Sequence, residues 1–316
     1  MKFLICGMGS IGVRHFQNLK KLGYDDIILY STGHSVYPDV QNIIAETPKF
    51  SDINEALSHS PDVCIIANPT SLHVETALLA AKHGCHLYIE KPLSHSLEGL
   101  KELSATVDEN DLITLVTYQF RYHPHIRLLS NLVVEEDKYG RPLWVSAQWS
   151  EYLPDWHPWE DYKKGYSARK DLGGGVLLTQ IHPLNYLSFI FGEITKLTVL
   201  TQSTGSLGID VEDIADIQVE FENAMTGVIH IDYLQKPRVH VMTIITTSGR
   251  FEWNYHQNSL IFLDREGHQV SFPNDKFERN DMFLEMLNNY IWCVKNGAQT
   301  CCGINEAIRE LALLGL

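Results

Sequence analysis

The chain has 316 residues, 44% of them apolar, and a formal net charge of −14 at pH 7. That length accommodates two domains of ordinary size, and the acidity excludes a nucleic-acid or anionic-membrane surface, which would need a basic face. No apolar stretch approaches membrane-spanning length.

Residues 1–6 form a short apolar run, followed at once by Gly7-Met8-Gly9-Ser10-Ile11-Gly12 and a helical pattern over 10–22. Strand, glycine turn and helix make up the context in which such a pattern binds a dinucleotide. Gly7 permits the tight turn, Gly9 lets a pyrophosphate approach the backbone, and Gly12 lets the helix pack on the strand. Ser10 and Ile11 begin the helix, whose free N–H groups and positive dipole end face the phosphates. A second strand, 26–30, runs into Ser31-Thr32-Gly33-His34. An NAD site places an acid near this point to accept from the ribose 2′-hydroxyl. Hydroxyls and a histidine suit a 2′-phosphate instead, so the cofactor reads as NAD(P), leaning mildly to NADP.

Asp52-Ile53-Asn54-Glu55 has the spacing of a capping box at a helix start. A buried strand, 63–67, leads into Asn68-Pro69-Thr70-Ser71-Leu72-His73 and a helix that Gly84 stops. The next strand, 86–89, ends in Glu90-Lys91-Pro92. A lysine at the carboxyl end of a strand in an open α/β sheet points into the crevice where ligands bind, and the proline stops the ladder beside it. Taken alone, the tripeptide reads equally well as a surface ion pair. A helix from about Ser96 and a strand at 112–117 complete an alternation that requires a parallel sheet covered on both faces.

Beyond Pro124 the pattern changes. A helix over 124–134 precedes a strand at 143–149, an aromatic loop, and one helix over 175–191. The segments 194–203, 213–221, 226–234 and 238–248 alternate apolar and polar residues, as Ile229, Ile231 and Tyr233 do against Val228, His230 and Asp232. Segments 259–263 and 269–272 extend the alternation around a Glu266-Gly267 turn. This is an antiparallel sheet with one wet face. Helices near 281–294 and 305–314 close the chain. The layout is an α/β dinucleotide-binding domain over 1–120, then an α+β domain over 121–316 whose open, predominantly antiparallel sheet walls a cleft. Such a sheet pairs readily with its own copy, so a homodimer or homotetramer is expected.

Cys6, Cys64 and Cys85 lie in or beside apolar runs and read as reduced core thiols. Cys293, Cys301 and Cys302 share no metal-ligand spacing with them, and His123, His125 and His157 offer no His-x-x-x-His face, so no metal is expected. With no signal peptide ahead of the first strand, the compartment reads as cytoplasmic.

Taken together, these residues resemble the Gfo/Idh/MocA family of glucose–fructose oxidoreductase and inositol 2-dehydrogenase. The motifs that carry the resemblance are the glycine turn with Arg14-His15, Asn68 to His73, Glu90-Lys91-Pro92, Tyr118-Gln119-Phe120-Arg121-Tyr122-His123-Pro124, and Gly173-Gly174-Gly175 through His182. The resemblance implies a Rossmann domain and hydride transfer between NAD(P) and a carbinol carbon of a sugar, cyclitol or nucleotide-linked sugar. It implies that Lys91 touches the nicotinamide ribose and the reacting oxygen, that Asn68, Pro69, Thr70, His73, Glu90 and Gln119 lie at the cofactor, and that the Lys91–Pro92 bond is cis. His182 becomes the proton donor or acceptor, with Arg121, Thr179 and Asn185 near the substrate. A histidine is poised near neutral pH for that work, and an ammonium stabilises a developing alkoxide.

Two features keep alternatives open. Family members often carry aspartates four residues before and three after the histidine; here those positions are Leu178 and Asn185. A dinucleotide-binding sensor without catalysis is therefore the alternative to an enzyme, and a lone histidine on an apolar helical stripe also reads as a core residue. Residues 149–170 crowd Trp149, Tyr152, Trp156, Trp159, Tyr162 and Tyr166 among Lys163, Lys164, Arg169 and Lys170. Their aromatic faces suit a sugar, Trp159 and Tyr166 foremost, and their cations suit a carboxylate or phosphate. The same aromatics would equally pack a long loop onto the sheet or a partner subunit.

Overall fold

The computed structural model describes residues 1–33, 35–38, 40–274 and 276–316. Its first sheet is built from β1 (Phe3–Cys6), β2 (Ile27–Tyr30), β3 (Lys49–Phe50), β4 (Val63–Ile66), β5 (His86–Ile89) and β6 (Thr114–Val116). The strands are parallel and lie in the order β3-β2-β1-β4-β5-β6. Between them run α1 (Ser10–Lys21), α2 (Val40–Ile43), α3 (Ile53–Ser58), α4 (His73–Lys82) and α5 (Leu100–Glu109). Every residue of β1 and β4 is buried, as helices on both faces require. The strand order reverses between β1 and β4, and in this topology ligands bind beyond the carboxyl ends at that point. Gly7, Asn68 and Lys91 follow β1, β4 and β5 along this edge.

After α6 (Pro124–Leu132) and the short α7 (Glu136–Tyr139), the second sheet begins with β7 (Pro142–Ser150). It continues through β8 (Ile194–Gln202), β9 (Ile214–Phe221), β10 (Thr226–Asp232), β11 (Val239–Thr246), β12 (Gly249–Asn254), β13 (Ser259–Asp264) and β14 (Gln269–Ser271). Its order is β14-β13-β12-β11-β7-β10-β9-β8, antiparallel except where β7 and β10 run together. Val145, Ala147, Ile217, Ile229, Met242 and Trp253 are buried on one face. The other face is open, with a shallow depression of about 280 Å³ lined by Ser146, Gln148, Gln218 and His230.

The structure departs from the sequence reading in several places, the short α2, β3 and α7 among them. No helix starts at Ser96: the chain bends until Gly99, whose φ of 75° is left-handed, and α5 begins only at Leu100. The expected helix over 175–191 is two, α8 (Val176–Thr179) and α9 (His182–Phe191), because Pro183 lacks the N–H an uninterrupted helix would use. Strand β12 was missed, although Phe251 and Trp253 alternate with Arg250 and Glu252.

The last two helices, α10 (Arg279–Asn296) and α11 (Ile304–Leu313), return to the first sheet. Asn280 Nδ2 donates to Asn18 Oδ1 of α1 at 2.9 Å. Val116 N donates to Cys302 O at 2.9 Å, and Ile304 N to Thr114 Oγ1 at 3.1 Å. The stretch after residue 121 therefore packs against both sheets.

Candidate active site

The glycine turn has the geometry its spacing implies. Gly7 has φ +98°, and a Cβ there would lie 2.7 Å from the backbone of Ala67 and Asn68 after β4. A Cβ on Gly12 would sit 2.0 Å from Gly7 O, so only glycine lets α1 pack on the turn. At Gly9 a Cβ would meet nothing within 4 Å. No side chain caps α1, leaving the N–H groups around Ser10 and Ile11 to that open space. Open backbone at a helix start is a fit for a diphosphate. At the end of β2, Ser31 Oγ accepts from Gly33 N at 3.3 Å and Thr32 is exposed; His34 lies outside the described residues.

The ends of β4 and β5 are braced to each other. Buried His73 lies 2.9 Å from Pro92 O through Nδ1 and 2.9 Å from Asn68 O through Nε2, so it holds two loops in register. Burial draws its pKa below the ordinary histidine value against the pull of those carbonyls. Pro69 precedes a short turn in which Thr70 is buried under Gly173. Glu90 is buried too, with Oε1 2.7 Å from His15 Nε2. Burial would raise that carboxyl, but His15, Lys91 and Thr117 outweigh it and hold Glu90 below the usual carboxylate range. The Lys91–Pro92 peptide is cis. Half-buried Lys91 donates through Nζ to Thr179 O, the last residue of α8, at 2.7 Å.

His182 begins α9 three residues further on, and its ring is only 1% exposed. Trp149 stacks on it at 5.4 Å, while Phe120 and Tyr118 meet it edge-on. Gln119 Nε2 lies 3.1 Å from His182 Nε2. An amide donating there leaves the imidazole proton on Nδ1, an atom buried without a partner. Burial, then the charges of Lys91, His240 and Arg279, place its pKa well below the ordinary value. The imidazole is therefore neutral, and the Lys91 charge reaches it across the two domains.

Other expected site residues have different surroundings. Arg121 is 5% exposed, and its guanidinium is committed: Nε donates to Asn185 Oδ1 at 2.7 Å, with further bonds to Cys301 O and the Glu306 carboxylate. Asn185 donates onward to buried Glu310. Both residues hold α9 to α11 as interior supports. The Thr179 hydroxyl is buried beside Tyr233, and only its carbonyl reaches Lys91. Half-buried Tyr166 forms a turn under which Gly174 packs. Trp159 is 41% exposed, 5.5 Å from Tyr37 and 5.1 Å from His157, whose Nε2 approaches Ser10 Oγ at 3.5 Å. The loop thus reaches the glycine turn. Its cations do not follow: Lys163, Lys164 and Lys170 are exposed, and Arg169 pairs with Asp171. Asp264, Glu266 and His268 gather at the exposed β13–β14 turn, where Asp264 and His268 pair at 2.8 Å. Glu310, Arg238 and Arg279 carried no motif signal, and Arg14 was only part of one.

A switch-point crevice, an open glycine turn and a cross-domain lysine define a dinucleotide-dependent oxidoreductase. Residues 1–118 match the family model described as the oxidoreductase family with an NAD-binding Rossmann fold, and residues 131–252 match the GFO/IDH/MocA C-terminal domain. The chain belongs to the Gfo/Idh/MocA family. Among curated relatives, the myo-inositol 2-dehydrogenase of Thermotoga maritima is 24% identical, over 94% of this chain and 89% of its own. The levoglucosan dehydrogenase of Pseudarthrobacter phenanthrenivorans is 26% identical, over 69% of this chain and 60% of its own. A solved levoglucosan dehydrogenase in complex with NADH and levoglucosan superposes with a TM-score of 0.83 at 16% identity, covering 99% of this chain and 94% of that one. That likeness carries the fold.

Proposed function

We propose that the chain transfers hydride reversibly between NAD(P) and a carbinol carbon of a small carbohydrate-like molecule: a sugar, a polyol, or a nucleotide-linked or acidic sugar. One observation carries this reading. The Lys91 ammonium stands at the crevice edge, paired with no carboxylate among the described residues, and is tied to the backbone three residues from His182. Two relatives named as dehydrogenases of a cyclitol and an anhydrosugar support the substrate class.

The nicotinamide, when bound, supplies or accepts the hydride. Lys91 donates to the reacting oxygen and stabilises it as negative charge develops, a contribution that grows in a water-excluded cleft. Neutral His182 accepts the hydroxyl proton during oxidation and returns it during reduction. The Gln119 amide occupies Nε2 in the position of such a hydroxyl, so substrate must take its place. Gly7, Gly9, Gly12 and the start of α1 hold the diphosphate, with Asn68, Pro69, Thr70 and Glu90 towards the nicotinamide. His73 acts through the two loops it joins. The mild lean to NADP rests on Ser31 and Thr32 standing where an acid would select NAD. The same reading carries Trp159 and Tyr166 as sugar contacts, a cytoplasmic location, and a homodimer or homotetramer paired through the open face of the second sheet. A sensor without catalysis fits poorly with membership in a family of oxidoreductases.

Lys91→Ala is the decisive variant. Loss of one preorganised donor to a developing oxyanion predicts a fall of about a hundredfold to a thousandfold in kcat. NADH and NADPH affinities, read from nicotinamide fluorescence, stay nearly intact. Full residual turnover on the sugar that wild type reduces or oxidises best would end the assignment.

A further inference from the structure

Three arginines lie on segments that meet around Tyr255. Half-buried Arg14 leaves α1 with its guanidinium 4.5 Å over the ring of Phe283 in α10. Arg279 is the first residue of that helix, and its neighbour Asn280 is clamped to Asn18 of α1. On the other side, Phe277 lies 4.5 Å from the His123 ring, and His123 lies 5.7 Å from Tyr255, which fixes residues 277–279 beside the end of β12. Tyr255 N donates to His240 O at 3.0 Å, so Arg238, two residues before His240, runs alongside. Three arginines therefore arrive at one place from α1, from α10 and from the β10–β11 connection. The charge of each acts on the Tyr255 hydroxyl, and that of Arg279 also reaches His182.

Among the described residues none of the three has a carboxylate at ion-pair distance. Glu90 is committed to His15, and Glu151, whose carboxyl burial pushes up, acts on Arg238 and Arg279 only from further away. Arg279 moreover stands at the positive end of a helix, where an acid is preferred, and its charge works against that of Arg14. Unpaired like charges held together in a chain of net charge −14 destabilise the free protein, and a bound anion removes that cost. Guanidinium groups are also suited to grip planar carboxylate or phosphate groups by two bonds at once.

We propose that Arg14, Arg238 and Arg279, gathered around Tyr255, form an anion subsite near His182, to which Tyr255 is linked through the Phe120 ring, that takes the carboxylate or phosphate of an acidic sugar substrate. Its neighbour on the sugar, the reacting carbinol, rests on the oxidoreductase reading; the anion site itself does not.

Arg238 and Arg279 are exposed, so the double variant Arg238→Ala/Arg279→Ala leaves the core untouched. The NADPH-loaded full chain is titrated calorimetrically with glucuronate, glucose 6-phosphate and glucose. At least one anion is expected to bind about tenfold or more tighter than glucose, and the double variant to lose about tenfold to a hundredfold of that affinity, the range for losing charge-assisted hydrogen bonds. Arg279→Lys keeps part of it. Tighter binding of glucuronate marks a carboxylate subsite, tighter binding of the phosphate a phosphate one. Equal binding of glucose, no anion binding in any arm, or an unaffected double variant overturns the proposal. A parallel loss of NADPH affinity overturns it too, because the arginines would then belong to the dinucleotide. If anion binding holds while no sugar is ever oxidised or reduced, the oxidoreductase reading fails and the subsite stands.

Discussion

The glycine turn and the surroundings of His182 are built by different means. At the turn, geometry follows from missing atoms: Gly7 and Gly12 are fixed by backbone immediately beside them, and Gly9 faces open space. Partners there lie within six residues or on the adjacent strand. Around His182 little is local beyond Asn185 on its own helix. Gln119 and Phe120 come from the segment after β6, Trp149 from β7, and the support behind from Arg121, Asn185 and Glu310 on three separate segments. A glycine pattern announces its own shape, whereas the chemistry of a histidine is set by residues that no motif names.

The sharpest break in the comparison is Gly12→Ala. A single methyl would meet the Gly7 carbonyl oxygen at 2.0 Å, and backbone, not a flexible side chain, would have to move. Overpacking of this kind costs about 3 kcal/mol, and withdrawing helix N–H groups from the diphosphate costs about a hundredfold in cofactor affinity besides. Thermal unfolding and NADPH fluorescence titration read the two losses separately. Unchanged cofactor affinity would detach the turn from the dinucleotide.

Arg121→Ala tests the other region. The guanidinium is buried against Glu306 and Asn185, so its loss strands a carboxylate and should lower stability by about 3–5 kcal/mol. Denaturant unfolding gives the number. A raised KM with unchanged stability would return Arg121 to the substrate.

How far the sequence carried the site follows the same divide. The strand ends at Gly7, Asn68 and Lys91 were legible because strands buried on both faces and glycine turns leave local signatures. Lys91 and His182 were both singled out, yet one is half-buried and the other sealed by aromatic rings from distant segments. Pro183 did signal the break that puts His182 at a helix start, and the apolar periodicity across it was misread as one helix. Arg121 and Asn185 looked like ligand residues because polar groups in a motif invite that reading; their partners, Glu306 and Glu310, lie more than a hundred residues away and give no pattern. Arg238 and Arg279 stand in no motif, and composition counts charges without locating them.

Glu310 gives a pH test of that hidden support. Burial pushes its carboxyl up to about 7, against the pull of Arg121, Tyr118 and Asn185. The native state therefore keeps a proton that the unfolded chain has released, and stability falls as pH rises from the ordinary carboxylate range through about 7. That one group contributes a decline on the order of 3 kcal/mol at most. Glu310→Gln should flatten this part of the profile, as unfolding at pH 5 and pH 8 would reveal. An equal slope in the variant would assign the dependence to other groups.

The smallest effect is expected from Lys163→Ala/Lys164→Ala, and it separates the two sets of cations. Both lysines are exposed, Lys163 lying 5.8 Å from the ring of its neighbour Tyr162. Their charges reach the cleft only through water and salt, where screening sets in within about 8 Å at physiological ionic strength. Steady-state kcat/KM on an acidic sugar should stay within about twofold, and stability within about 0.5 kcal/mol, the usual range for surface changes. Arg238 and Arg279 are exposed too, so exposure alone cannot separate the sets. The difference is convergence, because both arginines act on the Tyr255 hydroxyl, and Arg279 on His182 as well, while the lysines act on neither. A tenfold rise in KM for the lysine variant would mean that the loop folds inward over bound sugar and brings its charges with it.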